Sequence, residues 1–304
     1  MNRIIVLIIL QSFWVVNGCQ KEISFENIKI DYSPQLFVEG ILYPGTKPQI
    51  YVSNSLPFNH EKVTPQEIFV PDADLILSSS TYSERLVPDS TFDKFRCRWV
   101  PYYRGDITIL FGEEYHLEIN YGDDTYHANT MIDQPAVEIK DVQYTPEFYD
   151  IYGGHDGVII KLNDPEGIKN YYRFQMDRRI DKSRMHAHVL DVLINDCAGE
   201  DELFTVTDLG RTIYRDEHLD GREITMYIEV AYEYEKGDSA KIFLQTMDRK
   251  SAIFYDELDR QLQSILNPFV EPVFIHSTID GIIGVFGSAV RSQPFSFVYP
   301  QDNP

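Results

Sequence analysis

The side chains able to do covalent or coordination chemistry are few and scattered. His186 and His188 in "HAH" would share one face of a strand, a spacing that zinc sites use. No third ligand stands at a readable spacing, and two surface histidines would give the same pattern. The acidic stretches "GDDT" (122–125) and "DCAGEDE" (196–202) lack the alternating oxygen ligands of a calcium loop and read as solvated acidic loops. With 48 carboxylates in the chain, no pair can be singled out as a glycosidase dyad. The chain has no Gly-x-Ser-x-Gly elbow, His-Glu-x-x-His, phosphate-binding Gly-rich loop or Cys-x-x-Cys pair. No catalytic residue, no metal site and no cofactor is therefore expected. The 20 tyrosines can serve as stacking platforms for sugars or peptides, or simply as strand formers. Among them the turn-rich "VPYYRGD" (100–106) is either a binding loop or packed core.

Cysteine chemistry says more. Asn2 and Arg3 precede a run from Ile4 to Val16 that is apolar except at Gln11 and Ser12. A span of the ~30 Å hydrocarbon core needs about 20 residues, so this run is too short to cross and suits the apolar region of a secretory signal. The run ends in "VNGC", with Gly18 directly before Cys19. That order resembles a bacterial lipobox, whose cysteine becomes the first mature residue and carries acyl chains. Asn17 departs from the small residues usual at its position, and a cleaved signal with an accidental cysteine is the alternative. Several acyl chains give stable anchoring, because each buried CH₂ contributes about 0.8 kcal/mol. Residues 1–18 are thus expected to be a lipoprotein signal peptide and residues 19–33 a tether. Gln20, Lys21 and Glu22 resemble an export tag for the cell surface. Cys97 and Cys197 remain, either as a disulfide in an oxidising compartment or as two separate buried thiols.

From Cys19 onward the chain holds 26 basic and 48 acidic side chains, a net charge of −22. Such a charge repels phosphate backbones and excludes nucleic acid as a partner. A hydrophobic content of 43% excludes a disordered chain, and the length suggests two domains.

The elements that must position any site read mostly as strands. "QLFVEGILY" (35–43) and "QIYVSNS" (49–55) flank the turn "PGTKP", and "ADLILSS" (73–79) follows as another strand. In 115–130, Tyr115, Leu117 and Ile119 alternate with His116, Glu118 and Asn120 before a turn at Gly122–Asp124, which predicts a half-buried hairpin. Strands flank "NDPEG" (163–167), with Tyr172, Phe174 and Met176 alternating against Tyr171, Arg173 and Gln175. A further strand in 222–234 carries Ile224, Met226, Ile228, Val230 and Tyr232 on one face. Tyr255, Leu258, Leu262 and Ile265 at helical spacing predict a helix over about 248–266, with Asp248 as N-cap. The glycines of "DGIIGVFG" (280–287) read as a bend between strands. The expected architecture is mainly β: two antiparallel, immunoglobulin-like β-sandwiches over 34–136 and 137–304, with the helix in the second.

Three segments in this order behind the lipobox carry a family resemblance: "GEEYHLEINYGDDTYHANT" (112–130), "LNDPEGIKNYYRF" (162–174) and "NPFVEPVFIHSTIDGIIGVFG" (267–287). Together they resemble the Bacteroidota lipoproteins numbered 4249 among the domains of unknown function, over nearly the whole mature chain. Members of that family are commonly encoded beside TonB-dependent outer-membrane transporters. The resemblance therefore implies an outer-membrane, surface-exposed lipoprotein that assists such a transporter by substrate capture or capping, and it carries over no catalytic residue. The alternatives are a surface-displayed hydrolase acting on glycans or peptides, or a periplasm-facing assembly factor if Gln20–Glu22 are not read as a tag.

Overall fold

In the computed structural model, residues 32–57, 60, 63–94, 97–150, 153–180, 203–229, 237–266, 269 and 271–299 are described. Two compact units result. Met1–Pro34 with Leu56–Glu61 make the smaller one, whose described part includes a turn closed by the His60 amide on the Pro57 carbonyl (2.9 Å). The larger one, Gln35–Ser55 with Lys62–Pro304, holds every element below.

The N-terminal half supplies β1 (Leu36–Leu42), β2 (Gln49–Asn54), the short helix α1 (Pro65–Ile68), β3 (Asp74–Ser78), β4 (Ser83–Arg85), β5 (Val87–Asp93), β6 (Arg98–Arg104), β7 (Glu114–Tyr121) and β8 (Asp124–Met131). The rest supplies β9 (Ile139–Asp150), β10 (Gly153–Asn163), β11 (Tyr171–Ile180), β12 (Phe204–Arg215), β13 (Glu223–Glu229), β14 (Ser239–Met247), α2 (Arg249–Leu266), β15 (Ile283–Arg291) and β16 (Phe295–Val298). The chain is mainly β, as its alternation predicts. The hairpins form where the sequence places them. Gly45 (φ 80°) turns β1 into β2, and Gly122 (φ 62°) turns β7 into β8. Tyr115, Leu117 and Ile119 face inward with at most 1% exposure.

The sheets are arranged differently from two separate sandwiches. A nine-stranded sheet runs β12-β11-β14-β15-β1-β2-β6-β5, with β16 also on β14. It draws strands from both sides of residues 133–140. Its centre is a parallel pair, Phe37–Leu42 of β1 against Ile283–Ser288 of β15; every other pairing among the described residues is antiparallel. A four-stranded sheet (β4-β3-β7-β8) and a three-stranded sheet (β13-β10-β9) complete the β structure.

Three cores follow from the alternation. Leu36, Val38 and Leu42 of β1 and Phe286 and Val290 of β15 join Leu75, Leu77, Leu117 and Ile119 of the four-stranded sheet. Tyr172, Phe174 and Met176 of β11, with Ile242 and Leu244 of β14, join Val158, Ile160, Leu162, Ile224, Met226 and Ile228 of the three-stranded sheet. On the opposite face of the large sheet, Met247, Val285 and Ala289 pack on Ala252, Phe254 and Tyr255 of α2. The first core draws on residues 36–132 and 279–290 and the second on 137–299, and one continuous sheet is common to both. The physical reason lies in β15, whose residues are buried from Gly284 to Val290 because both faces are covered. Parallel strands in a sheet centre read as unbroken apolar runs, and "IDGIIGVFGSAV" is such a run. The expected bend is therefore confined to Gly281, since Gly284 and Gly287 lie within the strand.

Helix α2 begins where predicted. The Asp248 Oδ1 accepts the Ser251 amide (3.0 Å), which makes Asp248 the N-cap. Tyr255 and Leu258 pack inward, whereas Leu262 is 42% exposed and the Ile265 side chain lies outside what is described. Among the described residues, no helix is long and apolar enough to cross a membrane.

Candidate functional site

The described residues form a cleft of about 580 Å³ where three segments meet. The end of β8 and the residues after it (129–135) form one wall, the loop leading into β11 (168–171) a second, and the β14–α2 junction (247–250) the third. Local chemistry fixes this meeting point. Asp248 caps α2 with one oxygen and accepts the Ser288 amide of β15 with the other (2.7 Å). The Ser288 hydroxyl in turn donates to the Met131 carbonyl (2.9 Å) and accepts from the Thr130 hydroxyl (3.0 Å). Helix start, central strand and β8 end are thereby held by one buried polar chain.

The lining is mixed, with Met131, Pro135, Ile168, Tyr171 and Met247 set among polar and charged groups. Its carboxylates are engaged: Glu114 accepts Asn129 Nδ2 (2.8 Å), Asp133 accepts Gln134 Nε2 (3.2 Å), and Asp248 holds the two amides. Its cations Lys169, Arg249 and Lys250 are exposed and form no ion pair among the described residues. The volume falls in the usual range for small-molecule sites, and the lining offers hydrogen-bonding groups of both charges. What this can do chemically is hold a small polar molecule.

Behind the second wall lies a carboxylate hub that sequence reasoning missed. Asp164, Asp216 and Asp220 bring carboxylate oxygens within 4.8 Å of one another. Asp164 and Asp216 are buried, and Asp220 is exposed. Asp164 accepts the Tyr172 hydroxyl and Asn170 Nδ2 (3.2 Å) on one oxygen and the Gly221 amide (3.1 Å) on the other. Asp216 accepts the Asn170 amide (2.8 Å), and Asp220 accepts the Gly167 amide (2.8 Å). Burial, then the charges of Asp164 and Asp220, push the Asp216 carboxyl above its ordinary value. Burial and Asp164 likewise raise the Tyr172 phenol. Three carboxylates at this spacing are a donor set that can hold a divalent cation. The protein donors they already accept also explain them fully, as a bracket tying the 164–170 turn to the 216–221 turn. The signal available in sequence was the Asp-Pro-Glu-Gly turn itself, without its partner.

The expected site residues fall as follows. Cys19, Gln20, Lys21, Glu22, His186, His188 and Cys197 lie outside the described residues, as does "DCAGEDE". Cys97, at the tip of the β5–β6 hairpin with φ 51°, is disulfide-bonded. The stretch "VPYYRGD" is packed structure: Pro101, Tyr103 and Gly105 are buried, and Arg104 pairs with Asp89 and Asp106. "GDDT" is the β7–β8 turn.

A family model described as a domain of unknown function, DUF4249, matches residues 21–293. No curated protein matches the chain.

Proposed function

The chain belongs to the DUF4249 family, and from that premise we propose that it is a lipoprotein anchored by acyl chains on Cys19 in the outer membrane, exposed at the cell surface. There it acts as a non-enzymatic accessory of a TonB-dependent transporter, by substrate capture or by capping the barrel. The observation that carries this reading is "VNGC" closing a short apolar run, followed at once by Gln20, Lys21 and Glu22. The family resemblance supplies the partner class by gene association. The disulfide at Cys97 supports an oxidising compartment. With Cys19 acylated, Cys197 is its remaining partner in the chain. The cleft at the start of α2 suits capture, because its three walls are loops and junctions held at the ends of strands and of the helix.

Two experiments test the reading. Cys19→Ala should release the protein from the membrane fraction; retention with normal maturation would remove the anchor. Tagged protein solubilised from native membranes in mild detergent should co-purify a TonB-dependent transporter. If none co-purifies while the pure protein turns over glycans or peptides, the surface hydrolase replaces the accessory.

A further inference from the structure

The α2-bearing face of the nine-stranded sheet carries a row of polar side chains that neither the anchor nor the cleft uses. Alternation along β11 sends Tyr172, Phe174 and Met176 to the core and Arg173 and Gln175 to the opposite face. Register then aligns Arg173 with Gln245 of β14, and Gln245 with Arg291 of β15. With strands about 4.8 Å apart, the two arginines stand about 10 Å apart at the backbone, with Gln245 between them.

Each guanidinium is stacked on a tyrosine. The Arg173 Cζ lies 4.2 Å from the centroid of Tyr255 on α2, and the Arg291 Cζ lies 4.6 Å from that of Tyr43, the residue after β1. Burial raises the Tyr43 phenol, and Arg173 and Arg291 both pull it down, so the two positive charges converge on this ring. The neutral groups of the row are engaged with one another. Gln245 Nε2 donates to Gln175 Oε1 (2.7 Å), and Gln245 Oε1 accepts the Tyr43 hydroxyl (3.3 Å). The Tyr255 hydroxyl donates to Glu39 Oε1 (2.7 Å), the neighbouring carboxylate.

The guanidinium edges are what remains. Arg173 donates Nε to the Gly210 carbonyl (2.8 Å), which leaves its two Nη groups without a protein acceptor among the described residues. Arg291 has none for any of its nitrogens, and neither arginine forms an ion pair there. Elsewhere in this acid-rich chain, Arg85, Arg104, Arg178 and Arg215 each pair with an aspartate. A planar guanidinium fixed on an aromatic face is set for bidentate contact with an oxyanion.

We propose that Arg173 and Arg291 form a binding site for an oxyanionic group of a ligand, a carboxylate, sulfate or phosphate, held between the two stacked guanidiniums. The Gly210 carbonyl holds Arg173, Gln245 holds the Tyr43 ring on which Arg291 stacks, and the site stands whether or not the protein assists a transporter. The test is isothermal titration of the detergent-solubilised full chain with galacturonate, inorganic sulfate and inorganic phosphate at constant ionic strength, with chloride as the control. The expected result is saturable binding of at least one of the three, and which one binds identifies the oxyanion class. Arg291→Ala should weaken it about tenfold or more, the loss of charge-assisted hydrogen bonds. Arg173→Lys keeps the charge but loses the fork and should weaken it as well. Arg291 is exposed, so its variant should melt with the wild type, which separates lost binding from lost folding. No saturable binding above chloride, or unchanged binding when Arg173→Lys and Arg291→Ala are combined, overturns the site.

Discussion

Tyr103 is fully buried, and its hydroxyl works in both directions. It donates to the Val70 carbonyl (2.8 Å) and accepts the Ala73 amide (3.0 Å), which joins β6 to the segment before β3. Burial pushes its phenol up to about 12. Tyr103→Phe keeps the ring but strands a buried carbonyl and a buried amide, so a loss of about 1–3 kcal/mol in unfolding free energy is expected by denaturant titration. A change within error would mean that the hydroxyl is dispensable. Asp216 is the second case at this scale, and its sign is opposite to that of a paired carboxylate. Its folded value lies above 3.8, so the folded chain holds this proton at pH values where the unfolded chain has lost it. Stability from this group therefore falls as pH rises from 3.8 through the raised value, and the full cost is present at neutral pH. Asp216→Asn keeps an acceptor for the Asn170 amide and removes the charge. Its melting temperature should exceed that of the wild type at pH 7, with the gap closing as the pH falls below 3.8. A gap that does not vary with pH would contradict this electrostatic account.

Among the elements, α2 is tied to the sheet by one carboxylate as well as by its apolar stripe. Asp248 caps the helix and holds the Ser288 amide, so Asp248→Ala loses a cap of about 0.5–2 kcal/mol and leaves a strand amide without its acceptor. A Cβ at Gly287 would collide with Ser251 Oγ and Asp248 Oδ2, because the helix start lies directly on the strand there. Gly287→Ala should therefore lower the melting temperature more than Asp248→Ala, and the reverse order would show that the helix can shift. The N-cap was readable in sequence, since Asp248 precedes a helical apolar spacing. The close approach at Gly287 was not, since a glycine inside an apolar run does not reveal what will lie against it. The same limit applies to "NDPEG". The turn was evident, yet it moves the chain from the three-stranded sheet to the nine-stranded one instead of closing a hairpin.

In the whole molecule, the boundary expected near residue 133 is crossed by the first core and by the large sheet. The first core includes Ile279, Ile282, Phe286 and Val290 from the far end of the chain, and β1 has β15 as its parallel neighbour. A fragment covering 34–136 would lack all four side chains, each worth about 1.5–3 kcal/mol when buried, and would leave one side of β1 unpaired. It should show no cooperative unfolding transition, while the two-part chain 34–304 should. A sharp transition in the short fragment would establish two independent domains after all.

The sequence alone determined the strand alternation, the β7–β8 hairpin, the cap of α2 and the mainly β class. All of these are local, because side-chain direction repeats every two residues in a strand and capping spans a single turn. Which strands become neighbours was decided only in the folded chain. Arg173, Gln245 and Arg291 are far apart in sequence and carry no mutual signal, and Asp164 has no sequence cue pointing to Asp216. Register between distant strands is set by matching buried faces across the whole sheet. Only that matching places two arginines on either side of one glutamine and joins both halves of the chain through β15.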